Sequence, residues 1–254
     1  MNMISIVMPA LNEEKNIIAA IDNTLVAFDD VSIEGEIIVV NDGSTDSTPE
    51  VVMQKMGKNN RIRMLNHDRP KGIGASFWDG VDNARGDMVT MLPGDNENEP
   101  GEILRYKELL EHVDIVIPFV FNKEVRSLFR NALSFIYRFI INTTFLVNFN
   151  YTNGTVLYRK SILKELDCRN TGFFFQTDIL IRAVKKGYLF AEVPYRLAAR
   201  DSGRSKVASF PSLMNVIKGY LRLVNDIYFN KEGAIKKKNF VKGSLTAKRR
   251  NDLK

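Results

Sequence analysis

EIIVVNDGSTDSTP, residues 36–49, combines a buried strand, a polar turn and the start of a helix. Residues 36–40 are mostly β-branched and apolar, which is typical of a strand covered on both faces. The Asn, Asp, Gly and Ser residues that follow favour a turn, and Pro49 lies near the first turn of the next helix. A buried strand that passes through a polar turn into a helix indicates an α/β protein.

The same order of strand, loop and helix recurs on both sides of this stretch. Upstream, the apolar run at residues 4–8 precedes Asn12, which we predict to cap a helix. Downstream, the pattern predicts a strand over 61–65, a helix over 74–84 and a strand over 88–92. This alternation predicts an α/β fold with a Rossmann-like, mainly parallel sheet flanked by helices. In such a fold, ligands bind beyond the carboxyl ends of the strands.

The composition excludes several classes of protein. The 254 residues are 44% hydrophobic, which is enough for a substantial core. The single cysteine, Cys168, excludes an internal disulfide, and with only two histidines a Cys/His zinc site is not expected. No basic and apolar leader precedes the first strand, and no apolar stretch approaches about 18 residues. We therefore expect a cytoplasmic protein, either soluble or peripheral on the cytoplasmic face of a membrane.

A cluster of carboxylates follows the strand predicted over 88–92. Asp95, Glu97 and Glu99 occupy alternate positions where this strand passes into a turn. Carboxylates with this spacing can converge on one hard cation, and oxygen ligands suit Mg²⁺ or Mn²⁺. Such a cation usually binds the phosphate groups of a ligand. The alternative interpretation is a solvated acidic loop.

Two later segments are predicted to form basic, strongly apolar helices. From Arg126 to Arg138 a polar residue recurs at every fourth position among leucine, isoleucine and phenylalanine residues. Residues 213–228 repeat this design. Each segment is either an interfacial helix or an ordinary amphipathic helix packed on the sheet, and the presence of two favours a membrane surface.

The positive charge is concentrated at the carboxyl terminus. Residues 231–254 hold nine Lys/Arg and two Asp/Glu, a net charge of +7, and the rest of the chain has 27 basic and 28 acidic residues. Such a tail is suited to bind anionic lipid headgroups. The alternative interpretation is a tail that is simply solvated. Phe240 is the single aromatic residue of this tail, so no series of aromatic residues is interleaved for stacking on bases, and the body has no basic stripe. We therefore expect no nucleic-acid partner.

Several stretches, in this order and spacing, resemble the inverting family 2 glycosyltransferases of the GT-A fold. They are PALNE at 9–13, NDGSTD at 41–46, KGIGA at 71–75, and GD at 86–87 leading to DNE at 95–97. The resemblance spans roughly residues 3–206. It is closest to the polyprenyl-phosphate sugar transferases, the group of dolichol-phosphate mannose synthase. The later stretches that carry it are GY at 187–188, EVP at 192–194 and RDSGRSK at 200–206.

The resemblance implies a set of donor-binding residues at the carboxyl edge of the sheet. Asp42 is expected to contact the base or ribose of a nucleotide sugar. Asp95 and Glu97 match an Asp-x-Asp element that holds the cation, and Glu99 stands where some relatives have a third ligand. Glu in place of Asp at position 97 is a departure that leaves the choice between Mg²⁺ and Mn²⁺ open. The implied nucleotide-sugar set is Pro9, Asn12, Glu13, Asp42, Lys71, Gly72, Asp95 and Asn96.

For the acceptor, the resemblance implies Asp178 as a catalytic residue beside Asp95 and Glu97. It matches a general base that takes a proton from an acceptor hydroxyl. An acceptor phosphate is already anionic, and Asp178 then takes an orienting role. The cationic loop suits a phosphate, and its implied contacts are Arg200, Arg204, Ser205 and Lys206. Residues 115–119 lack an arginine that many lipid-phosphate enzymes carry, so either Arg126 or Arg130 compensates or the acceptor differs.

These observations predict five regions and one leading function. The regions are a nucleotide-sugar-binding half at 1–120, an interfacial helix region at 121–150, an acceptor-binding half at 151–210, an amphipathic helix at 211–230 and a basic tail at 231–254. The resemblance implies a metal-dependent inverting transferase that moves a sugar from a GDP- or UDP-sugar to a polyprenyl phosphate. The partners expected for such an enzyme are the membrane surface and a separate membrane protein. The alternatives are transfer to a hydroxyl of a glycan or glycolipid, and a non-catalytic sugar-nucleotide-binding or scaffold protein.

Overall fold

The protein contains one seven-stranded sheet flanked by helices. The computed structural model describes residues 3–122, 124, 127–166, 169–196, 210–230 and 240–252, and gives no account of the side chains of 210–212. The strand order is β3-β2-β1-β4-β6-β5-β7, and only β6 runs antiparallel to its neighbours. The strands are β1 Met3–Ala10, β2 Glu34–Asn41, β3 Ile62–Asn66, β4 Met88–Met91, β5 Ile115–Val120, β6 Leu157–Arg159 and β7 Phe190–Tyr195.

Nine α-helices lie in the described part of the chain. They are α1 Ile17–Asp30, α2 Thr48–Met56, α3 Ile73–Asn83, α4 Pro100–Leu104, α5 Leu128–Phe145, α6 Lys160–Lys164, α7 Phe175–Lys186, α8 Phe210–Val224 and α9 Leu245–Asp252. A 3-10 helix covers Lys107–Glu111 and a π-helical turn, Asn225–Phe229, directly continues α8. The predicted alternation of strands and helices in the first half is confirmed.

Both faces of the sheet are covered, as the continuous apolar strands predict. In β2, Ile38 and Val40 face one core, and Ile37 and Val39 face the other. The first core contains buried residues of α3, α5, α6, α7 and α8, and the second contains residues of α1, α2 and α4. Because side chains alternate along a strand, an apolar run without alternation needs this double cover.

The first helix begins later than the sequence predicts. Asn12 does not cap α1, which starts at Ile17, and its backbone takes a left-handed conformation with φ of 56°. The Asn12 side chain instead accepts a hydrogen bond of 2.8 Å from the Thr45 backbone N–H. A long-range contact therefore replaces the local cap that the pattern suggested.

The two amphipathic helices contact each other where α5 ends, and they leave apolar side chains exposed. Tyr220 of α8 contacts the Phe145 ring edge-to-face at 6.0 Å, and the Tyr228 hydroxyl donates to the Thr144 carbonyl at 2.6 Å. The exposed large apolar side chains of this pair are Leu128, Phe129, Leu133, Phe135, Ile136, Phe139 and Ile140 on α5, Leu213, Met214, Ile217 and Leu221 on α8, and Tyr228 and Phe229 after it. Among the helices that the structure describes, none combines the length and apolar character needed to cross a bilayer.

Part of the basic tail is folded against the body. The buried carboxylate of Asp114, next to β5, accepts hydrogen bonds from the backbone N–H groups of Leu245 at 2.7 Å and Thr246 at 3.1 Å. These are N–H groups of the first turn of α9, which have no partner within the helix. A negative charge there also favours the helix dipole. The described residues 240–252 are thus an ordered element and not a free extension.

Candidate active site

The candidate site lies at the carboxyl edge of the parallel strands, where four loops meet. The ends of β1, β2 and β3 are in register at Ala10, Asn41 and Asn66. The loop after β4 joins them, because Gly94 N–H donates to the Pro9 carbonyl at 3.0 Å. Loops that follow parallel strands share one edge, and this is where open α/β sheets bind ligands.

The first two loops are held together by hydrogen bonds from their own polar residues. Asn12 N–H donates to Ser44 Oγ at 3.0 Å, and Glu13 N–H donates to Thr48 Oγ1 at 2.9 Å. Burial tends to raise the pKa of Asp46, but hydrogen bonds from Thr48 outweigh this and leave that pKa below its ordinary value. Asn12, Glu13 and the stretch after β2 therefore form one rigid unit.

Asp42 organises the third loop. Its Oδ1 accepts from the Lys71 backbone N–H at 2.8 Å and contacts His67 Nδ1 at 2.7 Å, and its Oδ2 accepts from Gly72 N–H at 2.9 Å. The other ring nitrogen of His67, Nε2, lies 2.8 Å from Asp79 Oδ2. Asp42 is buried. The predicted contact of Asp42 with a base or ribose stays a prediction, and the structure adds a positioning role for the loop that carries Lys71.

Gly72 at the end of the loop after β3 and Gly74 in the first turn of α3 are required by their surroundings. Gly72 has φ of 100°, which a residue with a Cβ rarely adopts. Gly74 stands against residues 170–171, so a Cβ there would lie 2.6 Å from the Asn170 carbonyl oxygen. The first turn of α3 is thereby in close contact with the segment that leads into α7.

The acidic loop after β4 presents its carboxylates unequally. Asp95 and Glu97 are half-buried, Glu99 and Asn96 are exposed, and Glu97 N–H donates to Asp95 Oδ1 at 3.1 Å. The Asn96 side-chain carbonyl accepts from Asn23 Nδ2 at 2.9 Å. Among the described residues, no three side chains of His, Cys, Asp or Glu form a group suited to a metal ion. The roles of Asp95, Glu97 and Glu99 in metal binding stay predictions.

Asp178 lies in the first turn of α7 and is buried. Its Oδ1 accepts from Arg182 Nε at 3.0 Å, and Arg182 Nη2 donates to Asp226 Oδ2 at 2.5 Å. Burial raises the pKa of the Asp178 carboxyl, although the Arg182 guanidinium opposes this and Asp226 adds to it. A buried carboxyl group with a raised pKa suits proton transfer near neutral pH.

The remaining predicted acceptor residues cannot be compared with the structure. Arg200, Arg204, Ser205, Lys206 and Arg126 lie outside the described residues. The structure adds four residues to the site that the sequence motifs did not indicate, namely His67, Asp79, Arg182 and Asp226. Two signals existed, namely the position of His67 directly after β3 and the spacing of four residues between Asp178 and Arg182 on a helix.

Comparison with known proteins identifies the family. A family model described as glycosyl transferase family 2 matches residues 5–167, and the chain belongs to this family. It is 26% identical over 228 residues to an undecaprenyl-phosphate 4-deoxy-4-formamido-L-arabinose transferase of Edwardsiella ictaluri, covering 89% of this chain and 66% of the relative. The enzyme of that name in Salmonella choleraesuis is 29% identical over 217 residues, covering 84% and 65%. The chain thus spans slightly less than two thirds of the length of these relatives.

Solved structures confirm the predicted GT-A fold. Glucosyl-3-phosphoglycerate synthase from Mycobacterium tuberculosis, in complex with Mn²⁺, UDP and phosphoglyceric acid, superposes with a TM-score of 0.67 at 21% identity, covering 88% of this chain and 78% of the other. The complex of that enzyme with Mg²⁺ and UDP gives a TM-score of 0.64 at 21% identity, with coverages of 88% and 80%. At this identity the likeness concerns the fold alone.

Proposed function

We propose that this chain is a metal-dependent inverting glycosyltransferase that moves a sugar from a nucleotide sugar to a polyprenyl phosphate at a membrane surface. The observation that carries the proposal is the position of residues 170–174. This segment lies against Gly72 of the loop after β3 and Gly74 of the first turn of α3, and it packs against Gly219 of the amphipathic helix α8. The candidate donor site is therefore one short segment away from an exposed apolar helix pair. The names of the curated relatives support the same acceptor class.

On the donor side, the chain supplies a preformed cradle. The loops after β1 and β2 form a rigid wall for the nucleoside, and Asp42 holds the backbone of Lys71 and Gly72 beside it. Preformed contacts of this kind reduce the entropic cost of binding. The ammonium group of Lys71 is proposed to face the diphosphate, where a point charge is effective.

Oxygen ligands at Asp95 and Glu97 fit a divalent cation. Mg²⁺ is usually held by one or two carboxylates together with substrate phosphates, so two half-buried carboxylates are a sufficient protein contribution. Mg²⁺ or Mn²⁺ bound there supplies charge neutralisation for the leaving nucleoside diphosphate. Glu99, which is exposed, is proposed as an outer partner that approaches only in the complex.

On the acceptor side, Asp178 is proposed to act as a carboxylate that orients the incoming phosphate group and the cationic side chains that bind it. Arg200, Arg204, Ser205 and Lys206 are proposed to bind that phosphate. The exposed faces of α5 and α8 are proposed to lie in the interface of the cytoplasmic leaflet, with the basic residues of the tail near anionic headgroups.

A hydroxyl acceptor on a glycan or glycolipid is the second candidate. The raised pKa of the buried Asp178 carboxyl favours it, because a hydroxyl needs a general base and a lipid phosphate does not. Asp178 would then take the proton of the attacking hydroxyl as the new glycosidic bond forms and the nucleoside diphosphate leaves.

One experiment separates these possibilities. UDP- and GDP-sugars are incubated with the protein, Mg²⁺ or Mn²⁺, and a short polyprenyl phosphate, and the sugar that enters the organic phase is measured. Cation-dependent labelling of the lipid that is lost in Asp95→Ala is the expected result. Donor hydrolysis without lipid labelling favours a hydroxyl acceptor, and no turnover with any donor contradicts the proposed activity.

A separate membrane protein is also proposed to receive the product. The test is co-purification from native membranes after a high-salt wash. If the wash strips the protein from the membrane and no other protein accompanies it, electrostatic adsorption suffices and the partner is unnecessary.

A further inference from the structure

Three charged side chains connect α7 to the end of the amphipathic helix α8. The carboxylate of Asp178 binds Arg182 Nε at 3.0 Å, and the far edge of the same guanidinium binds Asp226 at 2.5 Å. The exposed side-chain fractions are 4% for Asp178, 13% for Arg182 and 18% for Asp226. Because these groups are largely shielded from water, their mutual interactions are stronger than those of a surface pair.

Asp226 belongs to an unusual backbone element. It lies in the π-helical turn Asn225–Phe229, which directly follows α8. Turns of this kind are rare and are often found at functional sites. The same turn presents Tyr228 and Phe229 outward, and Tyr228 is fixed to α5 by its ring, which stacks on Phe145, and by its hydroxyl. One turn therefore directs a carboxylate inward and apolar side chains outward.

The guanidinium of Arg182 serves two carboxylates at once. Within the described part of the chain, the charged groups that face Asp178 are Arg182 on its own helix, and Arg222 and Asp226 on α8 and its continuation. Asp226 fixes the guanidinium at its far edge, which determines the direction in which Nε points. It also adds a like charge near Asp178. Movement of the α8 turn would change both effects together.

We propose that Asp226 is a positioning residue that holds Arg182 against Asp178. The position of the π turn after α8 then controls the ionisation of the Asp178 carboxylate. This inference rests on the proposed function, in which Asp178 acts on the acceptor. It makes the end of the amphipathic helix a part of the active site. The helix that contacts the lipid surface and the carboxylate that meets the acceptor are then linked by two hydrogen bonds.

The test compares Asp226→Asn, which keeps the shape and removes the charge, with the wild-type chain. Without Asp226 the like charge near Asp178 is gone, so the ionised form of Asp178 is favoured, and the guanidinium of Arg182 loses the contact that fixes its direction. We expect the pKa of the Asp178 carboxyl to fall. Carboxyl-¹³C NMR with labelled aspartate measures this, and Asp178→Asn assigns the signal. Asp226→Glu should restore the wild-type titration, and the exposed Asp30→Asn should leave it unchanged.

Turnover supplies the second readout. The acid limb of the pH profile of kcat should move with the titration, and kcat at the optimum should fall by about tenfold or more while the KM for the donor stays within a factor of about two. The ionisation of a lipid phosphate is the same in all variants, so a difference between profiles belongs to the protein. The profiles are measured with the donor and acceptor that give turnover in the screen described above.

Two results would overturn the inference. One is an unchanged Asp178 titration in Asp226→Asn, and the other is a shifted titration with an unshifted turnover profile. Absence of sugar transfer by the wild-type chain contradicts the proposed function alone, because the titration is read without turnover and still decides whether Asp226 acts on Asp178.

Discussion

Asp42→Asn tests whether this carboxylate builds the loop after β3. In the wild-type protein Asp42 accepts three hydrogen bonds, from the backbone N–H groups of Lys71 and Gly72 and from His67. An asparagine has one acceptor atom in place of two, so at least one backbone N–H meets the donor NH₂ group of the new side chain. The variant therefore loses one hydrogen bond and leaves a partly buried N–H group without its carboxylate partner.

The expected cost follows from these contacts. A hydrogen bond to a charged group contributes about 1.5–3 kcal/mol, and the two bonds that remain lose their charge assistance. We expect the free energy of unfolding to fall by about 3 kcal/mol. For a chain of this size that lowers the Tm by about 6–12 °C. Thermal unfolding followed by calorimetry measures it. Asp68→Asn is the matched control, because Asp68 is exposed and directly follows His67.

The functional consequence is a second expectation for the same variant. If the loop carries Lys71 to the diphosphate, the affinity for UDP or GDP should fall by about tenfold, which corresponds to ~1.4 kcal/mol. Titration calorimetry in the presence of Mg²⁺ measures this. A Tm within about 1 °C of the wild type would refute the positioning role of Asp42, whatever the affinity does.

Three further substitutions test other parts of the structure. Asp114→Ala removes the anchor of α9 and the ion pair with buried Arg159, whose Nε lies 3.6 Å from Asp114 Oδ1, so we expect urea unfolding to show a loss of about 3–5 kcal/mol. An unchanged midpoint would contradict the anchoring. Gly74→Ala places a Cβ 2.6 Å from the Asn170 carbonyl oxygen, whereas the Cβ of Gly101→Ala meets nothing within 4 Å. Only Gly74→Ala should lower the free energy of unfolding in urea, by about 1–3 kcal/mol. Phe129→Glu, on the exposed face of α5, should reduce sedimentation with anionic vesicles several-fold and leave the free energy of unfolding within about 0.5 kcal/mol; equal sedimentation would argue against an interfacial α5.

The sheet was predictable because its signals are local. Runs of β-branched residues followed by Asn, Asp, Gly and Ser predict buried strands with loops at their carboxyl ends, and β1, β2 and β4 follow this rule. The two basic, apolar helices were also predicted, since exposed phenylalanine and isoleucine residues do not disturb helical periodicity. Ser127 marks the start of α5 as an N-cap, where its side chain accepts from the Arg130 N–H.

Contacts between distant segments were not predictable from single stretches. The start of α1 was predicted at the wrong residue because Asn12 bonds to Thr45, which is 33 residues away. The anchoring of α9 depends on Asp114, which is 131 residues from Leu245. The partners of Asp178 and Asp42 have the same origin. Local patterns identify a polar residue, but the fold decides which atoms of that residue remain available to a ligand.

The stretch after β2 shows what this means for recognition. Ser44 Oγ accepts from Asn12 N–H, Thr45 N–H donates to Asn12 Oδ1, and Asp46 accepts from Glu14 N–H and Thr48. These polar groups join two loops and shape the wall of the candidate site. A substitution that breaks such a contact should therefore weaken UDP and GDP binding in parallel, since it alters the wall and not a contact with the base. A change in the ratio of the two affinities, measured by calorimetry, would instead indicate that the substituted side chain reads the base directly.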